Sequence, residues 1–363
     1  MNTLMRSEIH EIPAVVRRVL VEGAGETEQV AATIQTARPR GIMIAARGTS
    51  DHAAIYARYL LEAILRVPVW LGAPSLTTVY RTPLDWSDLV LIGISQSGQG
   101  PDIVAVTEAA RAGGAITVAI TNEPDSPLAD AAAFTLACRA GAERAVAATK
   151  TYVAELAAVA ALAARLVPAD RHEAEGERAA LRDALARTPD VLARVLDAAE
   201  AWLPGADPLI EALAACSRAL IVSRGFNLAT SLEVALKLKE TSRIFADGYS
   251  TADLMHGPVI LAGPTIPTVV FRPDGMMGAV VDESLDRARD AGARPWLIGG
   301  SELAHVGPEA GTSRALALPG DLPETLTPLS YVLPGQLLAE AVARRRGMDP
   351  DAPVGLTKVT RTR

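Results

Sequence analysis

The 363-residue chain has little cysteine: Cys138 and Cys216 stand far apart and form no CxxC pattern. That excludes a disulfide framework or a thiolate zinc site, and predicts two buried free thiols in a reducing compartment. Basic charge is not in excess. With a net charge of −7 and a pI near 5.4, attraction to nucleic acid or to an acidic membrane surface is not expected. The longest hydrophobic run, LAAVAALAA at 156–164, falls well short of the roughly 20 residues that span a bilayer. The opening stretch MNTLMRSEIHEIPAVVRRVLVEG is broken by charges before any signal-peptide core. A cytoplasmic protein with no membrane and no nucleic-acid partner is expected. HExxH, a clustered carboxylate–histidine set, GxGxxG and GxxxxGK[ST] are all absent, so no metal and no cofactor are called for.

What is present is an alternation. GIMIAA, DLVLIGI, AITVAI and AAFTLA read as strands, and helix-length segments start near Asp51, Pro101 and Ala148. Strands separated by helices imply parallel βαβ units. A charged helical stretch follows, which Thr188-Pro189-Asp190 is expected to break into two helices. The plan then resumes with strands RALIVS, TVVF, PWLIGG and RALALP, a long helix after the first, and helices near 282–292 and 329–345. IMIAARGTSDHAAIYARYLLEAIL and ALIVSRGFNLATSLEVALKLKETS align without a gap, placing Arg47-Gly48 over Arg224-Gly225. The reading is α/β, with two tandem doubly wound parallel-sheet subdomains and helices on both faces. The expected boundaries are an N-terminal helical segment at 1–35, subdomains at 36–167 and 207–347, a helical connector at 168–206 and a C-terminal tail at 348–363.

In an open parallel sheet, ligands bind beyond the carboxyl ends of the strands, where loops feed helix N-termini. SQSGQG, 95–100, leaves a strand at such a place. Its glycines permit close backbone approach, its hydroxyls and amides are neutral donors, and the next helix adds free N–H groups. The same composition would equally serve as a capped βα turn. RGTS, 47–50, follows the first strand in the same way, with Gly48 for the turn and Thr49 and Ser50 as donors. Two such loops point to one phosphate.

RGTSDHA, SQSGQGPD, ERAVAATKTY, EVALKLKE, DLMHGPV and GLTKVTRTR occur in this order. Together they resemble the tandem sugar-isomerase (SIS, flavodoxin-like) proteins of amino-sugar phosphates. Among these the chain is most similar to the SIS-type glucosamine-6-phosphate deaminases, and it is also similar to the isomerase half of glutamine–fructose-6-phosphate aminotransferase. The resemblance covers residues 40–363. It implies a phosphorylated amino sugar held at its phosphate by Ser95, Gln96 and Ser97 with Gly48, Thr49 and Ser50. Val146 to Thr149, Ala148 included, would line the sugar largely through backbone groups. Where the aminotransferases have threonine and serine, this chain has Gly100 and Ala148; a Gly100 amide could replace the first contact.

The resemblance also assigns chemistry. His256, in DLMHGP, would open the sugar ring, and Glu240 would move a proton between C2 and C1. Glu233, Lys237 and Glu240 share one helix face, so Lys237 would keep Glu240 charged or polarise a substrate oxygen. Lys358 would form a Schiff base with the open-chain sugar. A homodimer is implied, with His256 supplied by the neighbouring subunit. The chain starts Met1-Asn2-Thr3 and has no cysteine before Cys138, so glutamine-dependent chemistry is not expected of it. The expected activity is hydrolysis of glucosamine 6-phosphate to fructose 6-phosphate and ammonia. The alternatives are a related phosphosugar such as galactosamine 6-phosphate or fructosamine 6-phosphate, isomerisation without ammonia, and a sensor that binds without turnover.

Overall fold

A computed structural model describes residues 3–166, 174–305 and 315–358. The start of the expected connector with His172, and the tail beyond Lys358, lie outside the described residues. The chain divides into two compact units: Glu11–Glu143 with Lys150–Pro189 and Thr357–Arg363, and Met1–His10 with Arg144–Thr149 and Asp190–Leu356. Each is built around its own sheet.

Helix α1 (Leu4–His10) belongs to the second unit. In the first, α2 (Ile12–Glu22) and α3 (Ala24–Ala37) precede β1 (Gly41–Ala45), α4 (Thr49–Leu65), β2 (Val69–Leu71), α5 (Pro74–Thr78) and β3 (Leu89–Ile94). Then come α6 (Pro101–Ala112), β4 (Ile116–Thr121), α7 (Pro127–Ala131), β5 (Phe134–Ala137) and α8 (Lys150–Leu166). The described strands pair in parallel in the order β2-β1-β3-β4-β5. Every residue of β3 is buried, as in a strand covered by helices on both faces. Leu89 and Leu91 pack with Ile103, Val106 and Ala110 of α6. Their neighbours Val90 and Ile92 point to the opposite face. Helix α8 packs against α2, α3 and α4 and is buried except at Arg165, which accounts for the unstriped apolar run at 156–164.

Helix α9 (Ala174–Trp202) leads to the second sheet. There α10 (Asp207–Ala215), β6 (Arg218–Ser223), α11 (Leu228–Ser242), β7 (Phe245–Ser250) and α12 (Thr251–Met255) precede β8 (Thr268–Arg272) and α13 (Gly275–Asp290). The last described elements are β9 (Trp296–Gly299), β10 (Ala315–Ala317) and α14 (Thr327–Arg345). From one edge the parallel order is β7-β6-β8-β9-β10, which repeats the first sheet strand for strand. The likeness extends to the backbone: Gly48 and Gly225 turn with φ of 59° and 63°, and α4 and α11 both end on a left-handed arginine, Arg66 and Arg243. Helices α11 and α14 approach so closely that a Cβ on Gly335 would lie 2.3 Å from Val234 Cγ2. The expected pair of doubly wound α/β sheets is therefore what the chain forms.

Three local expectations are corrected. Helix α9 runs unbroken through Pro189. An interior proline costs about 3 kcal/mol, but Leu185, Val191, Leu192 and Val195 are buried along the same helix, each worth roughly 1.5–3 kcal/mol. Strand β7, FADGYS, was not expected; it pairs with β6 over all six residues although only Ala246 is fully buried, so its edge position leaves no apolar signal. Cys138 is buried, whereas Cys216 is half-buried, with Sγ 2.9 Å from the Arg218 carbonyl.

Candidate active site

Strands β1 and β3 are neighbours, so the loops leaving their carboxyl ends share one end of the first sheet. Gly98 (φ 61°) sits where a Cβ would lie 2.0 Å from Ser126 Oγ, so only glycine lets the SQSGQG loop fold against the start of α7. The Ser95 and Ser97 hydroxyl oxygens accept N–H groups from Gly98 and Gln99 at 3.2 and 3.3 Å. That fixes both oxygens and leaves their protons to be donated. The Gln96 carbonyl accepts the Asn122 N–H at 3.1 Å, pinning the loop to the end of β4. Gly100 is the extended residue before α6, and neither α4 nor α6 has a side-chain cap at its N-terminus, so their first N–H groups suit an anion.

The structure joins the two loops. Arg47 Nε donates to Asp102 Oδ2 at 2.8 Å, and Asp102 is 2% exposed. Thr49 begins α4. Ser50 Oγ donates its single proton to the buried Glu155 at 2.8 Å, so toward a ligand it acts through its lone pairs. Burial pushes the Asp51 carboxyl above its ordinary range, against the opposing pull of His52 and Arg47.

A second buried carboxylate stands where the chain leaves β5 for α8. The Glu143 side chain is wholly buried. It accepts the Thr151 N–H at 3.1 Å and the Thr151 hydroxyl at 2.7 Å, and Lys358 Nζ lies 2.6 Å from its Oε2. Burial, and then Glu155 and Glu143, drive the Cys138 thiol well above its usual range. That thiol is buried packing rather than a nucleophile.

In the second unit, the 144–149 segment is tethered at both ends. Glu8 accepts the Arg144 and Ala145 N–H groups at 2.5 and 3.2 Å, and the Val146 N–H donates to the Asp351 carbonyl at 3.0 Å. Gln336 donates to the Thr149 carbonyl at 3.3 Å. Between these, Val146 and Ala148 are half-buried and alternate with buried Ala145 and Ala147. On α11, Lys237 is fully buried between Glu233 at 3.2 Å and Glu240 at 2.6 Å. Burial alone would lower its pKa, but the two carboxylates outweigh that and raise it. His256 closes α12 with its ring exposed, ahead of Gly257 at φ 139°. Of the other histidines, His10 pairs with Glu200 at 2.8 Å.

Arg47, Asp102, Glu143 and Glu155 are candidate site residues that sequence reasoning missed. Arg47 and Glu143 lie inside quoted motifs, RGTS and ERAVAATK, but a charged residue in a loop reads as solvated. Glu155 was legible only as a lone charge in the apolar run of α8.

Residues 34–165, holding the first sheet and both loops, match the SIS domain model. Over 362 residues the chain is 35% identical to glutamine–fructose-6-phosphate aminotransferase [isomerizing] from Gloeobacter violaceus, covering 98% of this chain and 58% of that protein. This chain thus spans little more than half the length of the curated relatives it matches. Among solved structures, a protein from Silicibacter pomeroyi DSS-3 assigned as a phosphosugar isomerase is 35% identical with a TM-score of 0.82, covering 96% of this chain and all of that one. A glucosamine-6-phosphate deaminase from Thermotoga maritima shares the fold, with a TM-score of 0.66, 18% identity and coverage of 96% of this chain and all of its own. No helix among the described residues is long and apolar enough to cross a membrane. On the repeated sheet order, the paired hydroxyl loops and these likenesses together, the chain belongs to the SIS-domain family of phosphosugar isomerases.

Proposed function

We propose that the chain is an amino-sugar-phosphate isomerase and deaminase, converting glucosamine 6-phosphate and water to fructose 6-phosphate and ammonia. The observation that carries this reading is the Glu240 carboxylate, partly exposed and held 2.6 Å from the buried Lys237 ammonium. Moving a proton between adjacent carbons needs one fixed carboxylate that reaches both. The Ser95–Ser97 loop, with Gly48, Thr49, the Ser50 backbone N–H and the Gly100 amide, holds the phosphate. Val146 and Ala148 line the sugar.

His256, supplied by the neighbouring subunit of a homodimer, opens the ring. Glu240 takes the proton from C2 and returns it to C1, leaving a ketimine at C2. Water adds there and ammonia departs, with Lys358 available to form the competing imine. The curated relatives, by their name, make the same link between fructose 6-phosphate and an amino group, which supports hexosamine chemistry. Ammonia and fructose 6-phosphate assayed on glucosamine 6-phosphate test the reading. Interconversion without ammonia would favour a plain isomerase, and binding without turnover a sensor. A panel with galactosamine 6-phosphate and fructosamine 6-phosphate separates the related substrates. Mixing His256→Ala with Glu240→Gln protein should restore part of the activity if the site is shared.

A further inference from the structure

Glu143 is a buried and well-connected side chain outside the assigned roles. One carboxylate ties together three things: the Thr151 N–H at the start of α8, the Thr151 hydroxyl, and the Lys358 amine. Its side chain is wholly buried, while that of Lys358 keeps 24% exposure. A buried carboxylate held by two donors of a helix N-terminus is a rigid anchor, because moving it would strand a charge away from water. The amine at its far side is the more adaptable partner, carried on a flexible four-carbon stem and partly exposed. An ion pair between such unequal partners fixes the amine in place.

We propose that Glu143 is the positioning residue for Lys358, setting the amine where an open-chain sugar phosphate presents its carbonyl carbon. This rests on the reading above, in which Lys358 meets that carbonyl. In the covalent step the ammonium gives one proton to water. The nitrogen lone pair forms the C–N bond, the C–O bond breaks, and the carbonyl oxygen leaves as water with the two protons that remained on the amine, giving the imine. Placement dominates such additions: a displacement of about 1 Å is enough to lose on the order of a hundredfold in rate.

Removing the Glu143 charge has two opposite effects, and their signs decide the matter. If Glu143 only stabilises the protonated amine, Glu143→Gln frees the lone pair and imine formation speeds up. If Glu143 positions the amine, imine formation slows. The test treats the full chain with fructose 6-phosphate and sodium cyanoborohydride, which reduces the imine to a stable secondary amine, and follows the Lys358 peptide by mass spectrometry. Glu143→Gln should label on the order of tenfold more slowly than the wild type. Thr151→Val, which keeps the carboxylate and the amine but removes the hydroxyl from the helix end, should label within threefold of the wild type. Equal or faster labelling in Glu143→Gln overturns the positioning role. So does an equal fall in both variants, which would mark Glu143 as a helix cap only. If wild-type Lys358 acquires no sugar at all, the assigned role of Lys358 fails and takes this inference with it, an outcome distinct from the other two.

Discussion

Lys237 and Glu240 form an ion pair with one end sealed and the other open. The ammonium is fully buried and the carboxylate 2.6 Å away keeps 24% exposure. Glu233, also fully buried, closes the sealed end at 3.2 Å. Replacing the cation alone, as in Lys237→Met, removes it from beside a buried carboxylate and should destabilise the chain by about 3–5 kcal/mol. The double variant Glu233→Leu/Lys237→Met removes both buried charges and should recover much of that loss. Urea unfolding measures both; a single variant as stable as the wild type would contradict the pairing.

The same pair sets a pH dependence. Burial lowers the Lys237 pKa, but Glu233 and Glu240 raise it by more, so the folded value lies above that of the unfolded chain. The folded state then holds its proton more tightly, and the stabilisation is complete below the ordinary lysine value near 10.4. It is lost as pH rises through the higher folded value. The stability difference between wild type and Lys237→Met should therefore be level between about pH 7 and 9 and shrink only in strong alkali. A difference that shrank below pH 9 would contradict the raised value.

Gly98→Ala tests the phosphate loop. A left-handed alanine costs about 1–2 kcal/mol, and the new Cβ would collide with Ser126 Oγ at 2.0 Å, adding roughly 1–3 kcal/mol of overpacking. The melting temperature should fall. Isothermal titration should show weaker binding of fructose 6-phosphate, because the Ser95 and Ser97 oxygens are fixed by the N–H groups of this turn. Ser97→Ala, which removes a donor without moving the backbone, should weaken binding about tenfold while leaving the melting temperature unchanged.

Asp51 carries a carboxyl whose pKa is raised by burial in the first turn of α4, beyond what His52 and Arg47 pull back. A raised folded value means that the acid form is favoured by folding, so its contribution is lost as pH rises through that value. Asp51→Asn should be more stable than the wild type at pH 7. The gain should vanish as the pH falls below about 3.9, where the wild-type residue is protonated in both states. Thermal melts at the two pH values read this directly, and a gain larger in acid would contradict it.

Much of the fold was legible because it is periodic. Short β-branched apolar runs such as LVLIGI read as buried strands, and the ungapped match of 42–65 with 219–242 put two glycine turns after two central strands. What escaped was decided by packing at a distance. FADGYS carries Asp247 and Gly248 because an edge strand needs no apolar pattern, and Pro189 reads as a helix breaker until the buried residues flanking it are known. The site divides in the same way. Hydroxyls and glycines at strand ends announce a ligand loop, but Glu143 and Glu155 look like ordinary surface charges. Only the fold wraps them in apolar neighbours and hands one to Lys358 and the other to Ser50.

The most direct measurement is ammonia and fructose 6-phosphate released from glucosamine 6-phosphate by the purified chain, wild type beside Glu240→Gln. The wild type should release the two products in equal amounts. Glu240→Gln, assayed at a temperature where it remains folded, should lose both by roughly 10²-fold or more. Undiminished release from Glu240→Gln, or a wild type that turns over sugar phosphate without freeing ammonia, would contradict the account.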